Sequence, residues 1–249
     1  MYKLTMDKPT IILGETFQDA WIKAANYLKD NRWNVWNLVV QISDPTSFDT
    51  LIHNKFKDFA SDNSKISPKG VAYTIFPHKL YNKVNSADEL YNKYMSKIYP
   101  WTRGREHSGW GTYFQRMIAY PGIKITENQL SNIINAINKR DRINRASYTI
   151  VIEKPGGETV KPLGAPCLNY IAVQIEPGSN TKVSLLCVYR NHDFFERVYG
   201  NYWGLCNLLC FIANETNLVP GSLTCVSSHA YVNGSKTIFK AFLEELDEA

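Results

Sequence analysis

The chain has 249 residues, 44% hydrophobic and 20% charged, enough for a buried core and against a disordered or low-complexity protein. Its 28 basic and 23 acidic residues leave a net charge of +5, too small a surplus to single out nucleic acid over a phosphate-bearing small ligand. Five cysteines (Cys167, Cys187, Cys206, Cys210 and Cys225) form no CxxC pair, so zinc-ribbon and thioredoxin-type readings lack support.

In chain order, Thr16 to Lys29 has helical periodicity, with Phe17, Ala20, Trp21, Ala24, Ala25 and Leu28 on one face and Thr16 as N-cap. Asn37 to Ile42 predicts a strand, stopped by Ser43-Asp44-Pro45. Residues 52–70 are polar and poorly periodic. Ala87 to Ile98 predicts a helix, with Ser86 and Glu89 at capping-box spacing, and Pro100 to Arg105 a loop carrying two arginines. Glu127 to Lys139 is amphipathic, starting at Thr126, and Tyr148 to Ile152 is a β-branched strand ended by Lys154-Pro155-Gly156-Gly157. Leu168 to Ile175 and Val183 to Tyr189 read as strands joined by the turn Glu176-Pro177-Gly178-Ser179-Asn180. Tyr202 to Thr216 is apolar almost throughout and predicts a buried helix, broken by Val219-Pro220-Gly221. Ser222 to Tyr231 is a further strand, and Ile238 to Leu246 a short amphipathic helix before an acidic terminus. Strands and helices mix without a βαβ rhythm, so the class is α+β. No run reaches the roughly 20 apolar residues of a membrane span, and Met1 is followed by no apolar leader segment. A cytoplasmic protein with reduced thiols is expected.

The segment from Gly164 to Tyr231 carries the chemistry. Gly164-Ala165-Pro166-Cys167 puts a thiol after a constrained turn at the mouth of a strand, where a neighbouring Arg would favour the thiolate; a small packed core residue is the alternative. Arg190 ends a Leu/Val strand and needs an anionic partner, a phosphate or a carboxylate such as Asp193. His229 and Tyr231 share one strand face.

In order and spacing, Pro166-Cys167, Arg190-Asn191-His192-Asp193, Asn201 at the head of the long helix, and His229-Ala230-Tyr231 resemble the thymidylate synthase superfamily, which includes the pyrimidine nucleotide hydroxymethylases. The likeness covers about 85 residues, 145 to 231. It is thinner upstream, at Gly111-Thr112-Tyr113-Phe114-Gln115-Arg116 and Asn144-Arg145-Ala146.

The resemblance implies one domain over residues 1–249, a mixed sheet packed on a long buried helix, and a sheet-to-sheet homodimer. It implies that Cys167 attacks C6 of a uracil-type base to activate C5. Arg190 would hold the nucleotide phosphate, joined by Arg145 and Arg142 from the second subunit, so that the phosphate site is shared. Asn201 would read the O4 and N3–H edge of the base. Asn191 stands in the substrate site, and His229 and Tyr231 would hold the sugar hydroxyl. Asp193 would face the pterin of 5,10-methylenetetrahydrofolate, and Tyr113 would belong to the network handling the C5 proton. The implied activity is transfer of a one-carbon unit, methyl or hydroxymethyl, to C5 of a pyrimidine nucleotide, with dUMP first. No metal, membrane or nucleic-acid partner is implied.

Several positions depart from the family pattern. Leu168 replaces the His after the nucleophile, Asn191 the Ser after the phosphate-binding Arg, Tyr189 the Gln before it, and Arg197 a Gly on the folate side. The stretch Val71 to Asn85 lacks the family's glutamate, leaving His78 and Lys79 as proton carriers there, with Glu106, Glu15 and Glu196 as replacement acids elsewhere. The sequence ends 20 residues after His229, short of the family's folate-closing tail. Two other functions therefore stay open: nucleotide binding without methyl transfer, and folate-independent chemistry at C5 or C6. A basic patch of Arg103, Arg105, Arg116, Lys139, Arg140, Arg142 and Arg145 is a weaker RNA-binding alternative. Cys206 and Cys210, at i and i+4, read as core packing.

Overall fold

The computed structural model describes residues 8–64, 66–105, 109–122, 126–139, 147–161 and 163–247. The elements in order are β1 (Thr10–Gly14), α1 (Phe17–Asp30), β2 (Asn34–Ile42), α2 (Thr50–Asn63), α3 (Pro68–Ile75), α4 (His78–Tyr81), α5 (Ala87–Lys93), a π-helical stretch (Tyr94–Ile98) and α6 (Tyr99–Arg105). They continue as α7 (Tyr113–Ile118), β3 (Tyr120–Pro121), β4 (Thr126–Glu127), α8 (Gln129–Asn138), β5 (Tyr148–Val151), β6 (Leu168–Glu176), β7 (Lys182–Tyr189), β8 (His192–Asp193), α9 (Val198–Thr216), β9 (Val219–Tyr231) and α10 (Lys236–Asp247). The architecture is α+β. A mixed seven-stranded sheet runs β1-β2-β9-β7-β6-β5, with β8 paired to β9; β1–β2 and β9–β7 are parallel, the other pairs along that path antiparallel.

One sheet face is buried. Val40, Leu185, Cys187, Leu223 and Cys225 point into a core shared with α1, α9 and α10. Alternation turns Ile11, Leu13, Val39, Leu186, Val188 and Val226 to the opposite face, where Ile11 and Leu13 are 66% and 62% exposed. The alternation is broken near one end of the sheet. Asn37 takes a left-handed φ of 56° within β2, the neighbouring β9 has two successive half-buried residues at Ser228 and His229, and the β6–β7 register shifts between Leu168 and Tyr170. This kink lies beside the strand ends that carry Cys167, Asn191 and Tyr231.

Helix α9 is buried on nearly every side, which explains its apolar composition. It begins at Val198, four residues before the expected start, and ends at left-handed Asn217, whose N–H bonds to the carbonyls of Ala213 and Asn214. Two glycines let α3 approach it. A Cβ on Gly200 would lie 2.6 Å from Pro68 O, and one on Gly204 2.7 Å from Ala72 O.

Several elements differ from the sequence-based expectation. The polar 52–70 stretch holds α2 and the start of α3, nucleated by the side chains of Asp49 and Ser67, which accept from Ile52 N and Gly70 N. Helix α2 buries only Phe56, Phe59 and Ala60, too narrow a stripe for a clear period. Residues 100–105 are helical rather than a loop: Pro100 sits in the first turn of α6, where its missing N–H is tolerated, directly after the π-helical stretch. Helix α8 starts after Asn128, whose side chain caps Ser131 N, and not at Thr126. Pro220 and Gly221 lie inside β9; Ser184 Oγ there accepts from Ser222 N at 3.0 Å and replaces a ladder bond.

Candidate active site

A cavity of about 820 Å³ opens at the kinked end of the sheet, a volume typical of small-molecule sites. Three layers build it. The strand ends supply Cys167, Asn191, Asp193 and Tyr231; the first turn of α9 and the loop before it supply Glu196, Arg197 and Asn201; α3 supplies Gly70, Val71 and Thr74. Trp110 and Tyr113 close another side.

Cys167 is half-buried just before β6. Its backbone N–H donates to Tyr113 Oη at 3.4 Å, and its carbonyl accepts from Arg190 N at 2.9 Å. Burial pushes the thiol above its ordinary range, while the positive charges of Arg190 and Arg197 pull it back toward the thiolate. Burial also raises the Tyr113 phenol, and the Cys167 charge adds to this.

Arg190 lies behind the thiol and does not line the cavity. Its Nη1 donates to Lys161 O at 2.6 Å and its Nη2 to Ala165 O at 3.3 Å, so it braces the turn that presents Cys167. Its Nε is buried without an acceptor among the described residues. Arg197 lines the cavity and makes no ion pair among the described residues.

Asp193 Oδ1 accepts from Phe195 N at 3.0 Å and Asn233 N at 3.2 Å, and the carboxylate also takes the backbone N–H of Glu196. Burial raises its pKa, and the N–H donors of Asn233, Phe195 and Glu196 oppose the rise. Asn201 is 4% exposed and donates from Nδ2 to His192 Nε2 at 3.1 Å.

His229 is outside the cavity lining. It stacks between Trp36 (4.2 Å) and Tyr231 (5.0 Å), with Nδ1 3.3 Å from Asn191 Oδ1 and Nε2 beside Asn34 Oδ1. Burial lowers its pKa. His229 therefore reaches the cavity through Asn191 and Tyr231, which do line it.

Helix α3 presents no carboxylate to the cavity. Of the three acids considered, Glu196 lines it; Glu15 lies at the start of α1, bonded through its N–H to Asp19, and Glu106 is outside the described residues. Arg142, Arg145 and Arg140 are also outside the described residues, as are the side chains of Arg103 and Arg105. Arg116 is not part of a surface patch. It is 4% exposed, paired with Glu158, and donates from Nε to Trp110 O at 2.9 Å. Glu158 also accepts from Lys154 N at 2.8 Å, so Arg116 fastens the Trp110 wall to the loop after β5. Cys187, Cys206 and Cys225 are buried in the core, and Cys210 is half-buried.

Of the residues singled out in the sequence, Cys167, Tyr113, Asn191, Asp193, Asn201 and Tyr231 line one cavity, as does Trp110, whose Gly109-Trp110-Gly111 turn reads either as a ligand cover or as a packed Trp. Thr74, Ser67 and Asn233 were missed, lying on a helix, a cap and a turn with no chemical signature of their own.

No family model matches the chain. It is 23% identical over 227 residues to a protein of Methanococcoides burtonii named "Putative thymidylate synthase", a match covering 89% of this chain and 88% of that protein. A protein of the same name from Methanosarcina acetivorans matches with the same identity and coverage. A third, from Methanosarcina mazei, is 31% identical over 121 residues, covering 49% of this chain and 52% of that protein. The chain is thus distantly related to proteins bearing the thymidylate synthase name. No described helix is long and apolar enough to cross a membrane.

Proposed function

We propose that the chain is a thymidylate-synthase-like enzyme that transfers a one-carbon unit, as methyl or hydroxymethyl, to C5 of a pyrimidine nucleotide, with dUMP as the first substrate. The observation that carries this reading is the convergence of the Cys167 thiol, the Asn201 amide, Asp193 and Tyr231 on one cavity large enough for a nucleotide. In the reaction, the Cys167 sulfur bonds to C6 of the base and the displaced electron pair moves through C5 to the C4 carbonyl, making C5 nucleophilic. Asn201 holds the O4 and N3–H edge, and Tyr231, backed by His229 and Asn191, holds the sugar. Arg190, whose Nη groups are held by the carbonyls of Lys161 and Ala165 in this conformation, would turn into the cavity to take the phosphate, with Arg142 and Arg145 of the partner subunit. Glu196, which lines the cavity, would move the C5 proton, with Tyr113 in the same network; a positioned general base contributes roughly 10²–10⁴-fold.

The residues present fit a folate. Trp110, Ile66 and Val71 offer an apolar wall, Asp193 lines the cavity as an acceptor for a pterin N–H, and Arg197, without an ion pair among the described residues, suits an anionic group. 5,10-Methylenetetrahydrofolate would supply the one-carbon unit. The apolar residues on the uncovered sheet face support a sheet-to-sheet homodimer of single-domain subunits, and five unpaired thiols accord with a cytoplasmic setting.

A second reading, nucleotide binding without transfer, is favoured by the absence of a carboxylate from the cavity face of α3 and by the raised Cys167 thiol. Tritium release from C5 of labelled dUMP, UMP, dCMP or CMP separates the two. Transfer requires release that is lost in Cys167→Ala. Binding alone requires nucleotide affinity that survives Cys167→Ala, with no release.

A further inference from the structure

His192, 1% exposed, lines the floor of the cavity with its ring stacked on Tyr189 at 3.9 Å. Both ring nitrogens are engaged: Nδ1 lies 2.8 Å from Ser227 Oγ, and Nε2 lies 3.1 Å from Asn201 Nδ2. An amide nitrogen only donates, so Nε2 accepts, and the neutral ring carries its proton on Nδ1, donated to Ser227 Oγ. A charged ring would set N–H against N–H. Burial excludes that form across the physiological range, driving the pKa down to about 3. The amide nitrogen of Asn201 is therefore pinned, while its Oδ1 makes no hydrogen bond among the described residues and the side chain lines the cavity.

We propose that His192 is a positioning residue that holds Asn201 in one of its two amide orientations and thereby selects a uracil-type over a cytosine-type base. The proposal rests on the nucleotide reading of the cavity. Uracil offers an N3–H donor beside an O4 acceptor; cytosine offers an N3 acceptor beside an amino donor. A free amide rotates by 180° and serves either edge. A pinned amide serves one order, and the wrong base meets donor with donor and acceptor with acceptor. Ser227 completes the device, because the acceptor at Nδ1 decides where the ring proton sits.

Calorimetric titration of the full chain with dUMP and with dCMP tests this. Wild type is expected to prefer dUMP by roughly 10–100-fold, the usual consequence of mispaired buried groups. His192→Phe, which removes the acceptor, brings the two affinities within a few-fold of each other. His192→Gln, which can offer a carbonyl oxygen to the amide, keeps most of the preference. If His192→Phe does not fold, Ser227→Ala decides, with the expected ratio reduced in the same direction. An unchanged ratio in either loss variant, even with both affinities weakened, overturns the proposal, as does a wild type without preference. A wild type that binds neither nucleotide overturns the nucleotide reading itself, and this proposal with it.

Discussion

At the scale of residues, the Cys167 thiol is set by two opposed effects, and their balance has a sign that can be measured. Burial raises it, and Arg190 and Arg197 lower it by less. A raised thiol pKa means the neutral form dominates near pH 7, so alkylation of Cys167 by iodoacetamide should be slow there. It should climb through and beyond the ordinary thiol range near about 8.5. Arg197→Met should move the climb to still higher pH, since it removes a charge that favours the thiolate. A half-maximal rate well below pH 8 in the wild type would contradict this balance. Cys167 stood out in the sequence through its order and spacing with Arg190, Asn201 and His229, since its turn alone reads equally as a packed core residue. His192 was not: its importance rests on the partners of its two nitrogens, Ser227 and Asn201, which are 35 and 9 residues away.

At the scale of elements, the site depends on how closely α3 approaches α9. Pro68 O and Ala72 O lie where Cβ atoms on Gly200 and Gly204 would stand, so each glycine sets the depth of one cavity wall. Gly204→Ala should cost about 1–3 kcal/mol by overpacking and weaken nucleotide binding as α3 is displaced. Thermal unfolding and titration on the same variant check both effects, and an unchanged melting temperature would show that α3 yields freely. Strands β2, β5, β6, β7 and β9, with α1 and α9, were readable from period and apolar content, because each buries a face or a whole surface; β1 and the two-residue β8 were not read. Helices α2, α3 and α7 were not. Their starts are fixed by the side chains of Asp49, Ser67 and Thr112, and the exposed parts of their surfaces blur the pattern. Residues 100–105 misled for a different reason: Pro100 reads as a break, but in a first turn it costs nothing.

At the scale of the whole molecule, the sheet has one face covered by helices and another on which Ile11 and Leu13 stand exposed beside Val39, Leu186, Val188 and Val226. Apolar surface of this kind is what the proposed homodimer would bury. Sedimentation should give twice the 28.5 kDa chain mass, and Leu13→Glu should shift it toward the monomer with the helical signal intact; a monomeric wild type would contradict the shared phosphate site. The class was legible from the mixed order of strands and helices, and the distant kinship from the spacing of Cys167, Arg190, Asn201 and His229. The layout of the cavity was not, since Arg190 and His229 turn out to support residues of the lining rather than join it. The proposed function turns on one covalent step, addition of Cys167 to C6 of the base. The most direct test is tritium release from 5-tritiated dUMP by the purified protein with methylenetetrahydrofolate present. The predicted result is steady release that vanishes in Cys167→Ala; release equal in the two proteins, or absent from the wild type with every pyrimidine nucleotide tried, would contradict it.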